Sequence, residues 1–318
     1  MVEQKIVPHL WFDTNAEEAV AFYTSLFRGS RVGTVTRYGT EGYDVHKMPA
    51  GTVMTIEFEL AGQKFMALNG GPIFKFNPSV SFILNFDPSK DQDARNRLDE
   101  LWEGLSSGGA VLMPLDKYPF SERYGWARDK FGLSWQLILS NPEGDERPFI
   151  MPALTFTGAV AGKAEVASDF YLSIFKNSRR GVIVRYPSDM PARDGGEPEK
   201  EGTIMFSDFL LENQWFAAMD SSYEHNFGFN ESVSFMVLCE DQPEIDYFWE
   251  KLGEGGDPAA QVCGWLKDKY GLSWQIVPAI LGQLIADSDP EKSGRLMSAV
   301  LQMKKLDIEA LKKAHGGV

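Results

Sequence analysis

Gly264-Trp265-Leu266-Lys267-Asp268-Lys269-Tyr270-Gly271-Leu272-Ser273-Trp274-Gln275 decides the reading of this chain, because Gly125-Trp126-Ala127-Arg128-Asp129-Lys130-Phe131-Gly132-Leu133-Ser134-Trp135-Gln136 repeats it. Working outward, Phe76-Asn77 with Ser79-Val80-Ser81-Phe82 returns as Phe229-Asn230 with Ser232-Val233-Ser234-Phe235. Gly51-Thr52-Val53-Met54 returns as Gly202-Thr203-Ile204-Met205, and Phe22-Tyr23-Thr24-Ser25-Leu26-Phe27 as Phe170-Tyr171-Leu172-Ser173-Ile174-Phe175. The offset drifts from 148 (Phe22 to Phe170) to 153 (Phe76 to Phe229) and then to 139 (Gly125 to Gly264), as insertions and deletions in loops would make it. This spacing is far above the roughly 20–50 residues of a solenoid repeat, so the chain is one domain carried twice.

The repeats divide at 1–145 and 146–318. Asn141-Pro142-Glu143-Gly144-Asp145-Glu146-Arg147-Pro148 has turn formers and charges but no apolar period. Within the first repeat an apolar extended run, Ile6 to Phe12, precedes Asp13-Thr14-Asn15, which reads as the cap of a helix over 16–27. Strands follow over 32–38, 53–60 and 64–68. The order then recurs: strand 80–86, helix 91–105, and strands at 110–115, near Trp126, and at 134–139. With the second repeat this makes four strand-helix-three-strand (βαβββ) modules, an α+β chain of curled mixed sheets. Residues 279–318 are extra. Ser288-Asp289-Pro290-Glu291 opens a helix there, and Leu296, Val300, Met303 and Leu306 keep helical spacing along it.

Composition narrows the function classes. The chain has 318 residues, and its 31 basic and 45 acidic residues leave a net charge of −14. Such a surface repels phosphate backbones and anionic lipid, so neither nucleic acid nor membrane is an expected partner. No run approaches the roughly 18 consecutive apolar residues of a membrane helix. Met1-Val2-Glu3-Gln4-Lys5 lacks the pattern of a secretory signal. Two cysteines, Cys239 and Cys263, cannot build a disulfide framework, which fits a reducing cytoplasm.

Pro8-His9-Leu10-Trp11-Phe12-Asp13, Ala67-Leu68-Asn69-Gly70-Gly71-Pro72 and the segment Cys263 to Pro278 resemble three signatures of the PhnB-like family. Leu301-Gln302-Met303-Lys304-Lys305-Leu306-Asp307-Ile308 resembles its C-terminal helix. Paired βαβββ modules resemble the wider vicinal oxygen chelate superfamily, which includes glyoxalase I, extradiol dioxygenases and the bleomycin and fosfomycin resistance proteins. The resemblance covers nearly the whole chain, once per repeat. It implies a tandem glyoxalase/bleomycin-resistance/dioxygenase-like fold with a small-molecule cavity inside each curled sheet. It also implies that the repeats complete each other as an intrachain pseudo-dimer, with modules either paired within a repeat or swapped between repeats, and that a homodimer can form on top of that.

In metal-using members of the superfamily four inward side chains bind a divalent ion. Carried over, those places fall on His9 or Ala153, near Ala67 or Ala218, near Ser79 or Ser232, and on Gln136 or Gln275. Alanine offers no donor, and neutral hydroxyl or amide oxygens bind weakly. No metal and no other cofactor is expected, with His9 and Gln136 the weak candidates if a divalent ion binds at all. Many PhnB-like proteins carry a 3-demethylubiquinone methyltransferase label. The glycines of Asn69-Gly70-Gly71-Pro72 are followed by proline and a further strand, where a nucleotide fold needs a helix opening on a glycine-rich turn, so methyl transfer is not expected.

The expected function is therefore binding of a small apolar or aromatic molecule in a metal-poor cavity. The alternatives are an enzyme of the superfamily's metal-dependent isomerase, lyase or dioxygenase kind using His9, and a ligand-free scaffold. The first repeat, which keeps His9, is the expected ligand site. Trp11, Phe65, Trp126, Trp135, Phe216, Trp265 and Trp274 are the candidate aromatic walls, with core filling as their other role. His9, Asn69, Gln136 and Gln275 are the candidate polar groups. His9 is either a cavity group or a strand histidine packed by Trp11 or Trp135, and Asn69 either a ligand contact or a turn former. His9 with Glu57 is the candidate metal-free acid–base pair, although strand alternation equally places Glu57 on the wet face. Cys263 reads as a small buried hydrophobe or, beside Lys267 and Lys269, as a reactive thiol.

Overall fold

The computed structural model describes residues 4–141, 146–188, 199–287 and 289–317. Residues 142–145 of the expected connector between repeats, and Ser288 of the expected tail cap, lie outside these residues. In chain order the first repeat gives β1 (Ile6–Phe12), α1 (Ala16–Leu26), β2 (Arg31–Arg37), α2 (Tyr43–His46), β3 (Val53–Leu60), β4 (Gln63–Asn69), β5 (Val80–Phe86), α3 (Ala94–Ser106), β6 (Ala110–Tyr118), β7 (Ser121–Arg128) and β8 (Ser134–Leu139). The second gives β9 (Ile150–Phe156), α4 (Ala164–Ile174), β10 (Arg179–Arg185), β11 (Ile204–Leu211), β12 (Gln214–Asp220), β13 (Val233–Cys239), α5 (Gln242–Gly253), β14 (Trp265–Lys267) and β15 (Ser273–Pro278). The tail adds α6 (Leu281–Ile285), α7 (Pro290–Val300) and α8 (Ile308–Gly316).

These elements form two compact units that interleave the repeats. One unit holds the chain up to Lys75 together with everything from Asn230 onward; the other spans Phe76–Phe229. The first is built on a seven-stranded mixed sheet, β14-β15-β13-β1-β4-β3-β2, and the second on an eight-stranded one, β10-β11-β12-β9-β5-β8-β7-β6. Each sheet joins the opening module of one repeat to the closing module of the other across an antiparallel pair, β1 with β13 and β5 with β9. The units follow this swapped pairing of modules rather than the order of the repeats along the chain.

The fourth module departs from the pattern. A single turn of 3-10 helix, Pro258–Ala260, stands where the first repeat has β6, which matches the drop in offset from 153 to 139. The tail supplies the missing edge contacts: Cys263 and Gly264 donate their N–H groups to Met303 O (2.8 Å) and Lys304 O (2.7 Å). This explains why the expected long tail helix stops at Val300. Met303 and Leu306 sit in the turns and irregular chain between α7 and α8, and both still pack inward with Leu281, Leu296 and Leu311.

The repeated Asp-Lys-x-Gly-Leu-Ser-Trp-Gln motif is a folding device. Asp129 accepts from Phe131 N (2.8 Å), Leu133 N (3.0 Å) and Trp135 Nε1 (2.8 Å). Asp268 does the same for Tyr270 N (2.8 Å), Leu272 N (3.2 Å) and Trp274 Nε1 (2.9 Å). The carboxylate closes the turn before the strand and satisfies an indole that burial would otherwise leave unpaired, a geometry only Asp supports at this reach. The caps of α1 and α4 arrive from elsewhere in the sheet: Asn69 Oδ1 accepts from Ala16 N at 2.9 Å, and Asp220 Oδ1 from Ala164 N at 3.0 Å. Asn15 makes no side-chain cap.

Candidate functional site

Strand alternation and register sort each sheet into a helix-facing side and an inner side. Tyr23 of α1 stacks over Phe58, and Phe58 over Phe65, so that side of β3 and β4 belongs to the helices. Phe216 stacks on Phe209 in the same way in the other unit. Trp135 and Trp274 lie on the helix-facing side too, against Phe82 and Phe235. Asn69 is the α1 cap and also donates to Glu17 (2.7 Å) and to Val53 O (3.0 Å). Phe65, Asn69, Trp135, Phe216 and Trp274, expected as cavity residues, therefore build the support beneath the sheets. Their aromatic and amide chemistry suited a cavity, but their register puts them on the other face.

On the inner side of the first unit the register joins His9 to Ser234 on β13 and to Met66 on β4. Gln275 follows from β15, where it donates Nε2–H to Ser234 Oγ at 2.9 Å, and Trp265 pairs with Gln275 from β14. The indole of Trp265 meets the His9 ring edge-to-face at a centroid distance of 5.4 Å and Trp11 at 6.0 Å. Trp11 is held in place by its Nε1–H on Gly71 O (2.8 Å) and by Phe74 at 5.0 Å. The turn can lie this close because residue 70 is glycine: a Cβ there would stand 2.2 Å from the Trp11 ring. Neither Trp11 nor Trp265 is fully buried.

His9 is only 3% exposed, and its Nδ1 is buried without a hydrogen-bond partner. Burial lowers its pKa to about 3, so the imidazole is neutral across the physiological range. The structure does not bring it into contact with Glu57. Glu57 is exposed, Met66 stands between the two in the register, and no hydrogen bond joins them. Cys263 sits under the tail among Leu306 and its neighbours, and burial raises its pKa, the opposite of an activated thiol.

The second unit uses the equivalent face differently. Ala153 replaces His9, and Ile83, Met151, Ala153, Trp215 and Ala217 pack against one another. Asp208, the counterpart of Glu57, is 3% exposed and accepts from Arg147 Nε at 2.7 Å and Val182 N at 2.7 Å. The Arg147 guanidinium lies 3.7 Å above the Trp215 ring, and that of Arg179 at 4.7 Å. Gln136 is tied at both ends, to Ser81 Oγ (2.8 Å) and from Tyr124 OH (2.8 Å). Trp126 pairs with Gln136 and donates to Ser134 Oγ at 2.7 Å. Here the chain fills its own hollow. Sequence reasoning missed Arg147 because nothing local shows where a connector residue folds back; the repeated serines, Ser81 and Ser234, were visible but carried no partner.

Metal binding finds little support in this donor set. The inner face of the first unit offers one imidazole, a hydroxyl and an amide, and among the described residues no three His, Cys, Asp or Glu side chains converge. Catalytic divalent sites need more anionic or imidazole donors, so the residues do not fit the ion. Among the described residues no helix is long and apolar enough to cross a membrane.

Several solved structures are similar to this chain. The PhnB protein of Bacillus cereus is 39% identical over 43% of this chain and all of its own length, with a TM-score of 0.37. Glyoxalase I of Zea mays is 10% identical, with 89% of this chain and 97% of that one covered and a TM-score of 0.49. The fosfomycin resistance protein FosX of Listeria monocytogenes is 11% identical over 45% of this chain and 94% of its own, with a TM-score of 0.29. No curated protein matches in sequence. The profile of one family matches at residues 4–138 and again at 148–277, and on that double match the chain belongs to the family described as 3-demethylubiquinone-9 3-methyltransferase, carried in tandem.

Proposed function

We propose that the inner face of the first unit binds a flat, mostly apolar small molecule through stacking and one hydrogen bond, without a metal. The observation that carries this reading is His9: a neutral imidazole with a buried, unpartnered Nδ1, set beside the edge-to-face indoles Trp11 and Trp265. An unpaired buried nitrogen costs about 1–3 kcal/mol, and a bound molecule that donates a hydrogen bond to it would recover that cost. Gln275, anchored to Ser234 through its nitrogen, adds a second polar group on the same face. The second unit supplies the contrast, since Arg147 already occupies its Trp215 and Asp208.

Methyl transfer is not part of this reading. Both sheets are mixed, and Asn69-Gly70-Gly71-Pro72 leads through irregular chain to β5 where a nucleotide fold would place a helix N-terminus. The test is a tryptophan-fluorescence titration with quinoline, a two-ring heteroaromatic, using cyclohexanol as an apolar but non-planar control. Saturable quenching by quinoline that weakens at least about tenfold in both His9→Ala and Trp265→Ala, a loss of roughly 1.4 kcal/mol, supports the proposal. Equal response to cyclohexanol, or quenching untouched by either substitution, refutes it.

A further inference from the structure

The family match ends at residue 277, and the tail beyond it packs beside the inner side of β3 and β4, where a Cβ on Gly282 would stand 3.7 Å from Glu57 Oε1. Ile285 of α6 and Met297 of α7 pack against Tyr38, Met48 and Met54, the same cluster that receives Leu68 from the inner face of β4. Val277, an inner-face residue of β15, packs with Leu284 and Ile285 against the tail cluster of Leu281, Leu296, Val300, Leu306 and Leu311. From the opposite side comes the loop after β2, residues 39–48, which contains α2. The two segments meet directly. A Cβ on Gly294 of α7 would stand 2.8 Å from Glu41 Oε1, and one on Gly42 would stand 2.3 Å from Leu301 Cδ1.

The tail is fastened at its ends and free of backbone ties between them. Ala279 N–H bonds to Cys239 O at 2.8 Å where the tail begins. Farther on, Met303 and Lys304 accept from Cys263 and Gly264, and Gln242 brackets α8 by donating to Leu306 O (3.2 Å) and accepting from Ile308 N (2.9 Å). Among the described residues every hydrogen bond of 280–299 stays within the tail: Asp289 caps α7, and Arg295 reaches Ala314 O and His315 O. Among the described residues, the contacts that hold α6 and α7 against the rest of the unit are apolar side-chain contacts. A segment secured in that way opens locally at a lower free energy than the sheet beneath it.

We propose that α6–α7 and the 39–48 loop are the two leaves of a gate over the His9 face, and that small molecules reach His9 only when the leaves part. The gate serves the binding face proposed above, but its test needs no ligand, so the two readings fail separately.

The test follows acylation of individual histidines by diethyl pyrocarbonate with peptide mass spectrometry, in the full-length chain. Ile285→Ala/Met297→Ala loosens one leaf, and Gly294→Met wedges it against Glu41. Both variants should speed acylation of His9 about tenfold or more, which corresponds to roughly 1.4 kcal/mol of easier opening, while His225 and the buried Cys239 keep their wild-type reactivity. Hydrogen exchange on the unaltered chain provides an independent reading: amides of 290–300 should exchange well ahead of those in β1 and β13. The proposal fails if wild-type His9 reacts as fast as His225, since nothing then covers it. It also fails if His9, His225 and Cys239 accelerate together, or if 290–300 exchanges no faster than the strands, because the tail is then simply part of the core.

Discussion

The neutral state of His9 predicts an acid sensitivity that one substitution should remove. In the unfolded chain its imidazole titrates at the ordinary value of 6.5; in the folded chain burial lowers it to about 3. Between those values the unfolded state binds a proton that the native state refuses. Stability is therefore fully present above pH 6.5, declines as pH falls below it, and stops declining near pH 3. At 1.36 kcal/mol per pH unit, the drop from pH 7 to pH 5 removes about 2 kcal/mol through this group alone. His9→Gln keeps a polar side chain but cannot take up the proton. Urea unfolding of both proteins at pH 7 and pH 5 gives the comparison, and contributions shared by other groups cancel in the difference. Wild type should lose about 2 kcal/mol more than His9→Gln over that interval. Parallel losses in the two proteins, or a His9 ring resonance titrating near 6.5 by NMR, would show that the ring is solvated and end the argument for a buried neutral group.

Four further outcomes follow from the contacts described. Asp129→Ala and Asp268→Ala each strand a buried indole N–H, and each should cost about 3 kcal/mol in urea unfolding; a cost below about 1 kcal/mol in either would remove the structural reading of the motif. Arg147→Ala leaves Asp208 buried and unpaired, so it should cost about 3–5 kcal/mol, while Arg147→Ala/Asp208→Leu should recover most of that loss. Gly70→Ala forces Trp11 out of its seat, which should shift its indole resonance and cost about 1–3 kcal/mol; an unmoved Trp11 signal contradicts the packing. Ellman's reagent should react with Cys263 before Cys239, because Cys239 is wholly buried and its pKa is pushed up to about 12.

Duplication, module order and the rank of His9 were all legible in the sequence, because each rests on local signals: a repeated motif, alternating apolar runs and a histidine on a strand. What was not legible depended on which face a residue takes and on contacts between distant segments. Phe65 and Trp274 differ from Trp11 and Trp265 only by strand register, which a one-residue shift inverts. Asn69 was recognisable as a turn residue, but its role in capping α1 requires that β4 lie beside β1, a non-local pairing. The swapped units, the folding back of Arg147 over Trp215 and the packing of the tail on Tyr38, Met48 and Met54 share that origin. The loss of a strand in the fourth module had a trace in the sequence, the fourteen-residue step in the repeat offset.

The claim beneath this account is that the His9 face works by shape and stacking rather than by holding an ion. A melting experiment on EDTA-dialysed protein tests it directly, with quinoline, Mn²⁺, Ni²⁺ or Zn²⁺ added separately to wild type and to His9→Ala. Ligand at about 100 times its Kd stabilises by about 2.7 kcal/mol, which for a unit of this size is a rise of roughly 5–10 °C in Tm. The account predicts that rise with quinoline in wild type, little or none in His9→Ala, and no His9-dependent rise with any of the metals. A metal-induced rise that disappears in His9→Ala would contradict it.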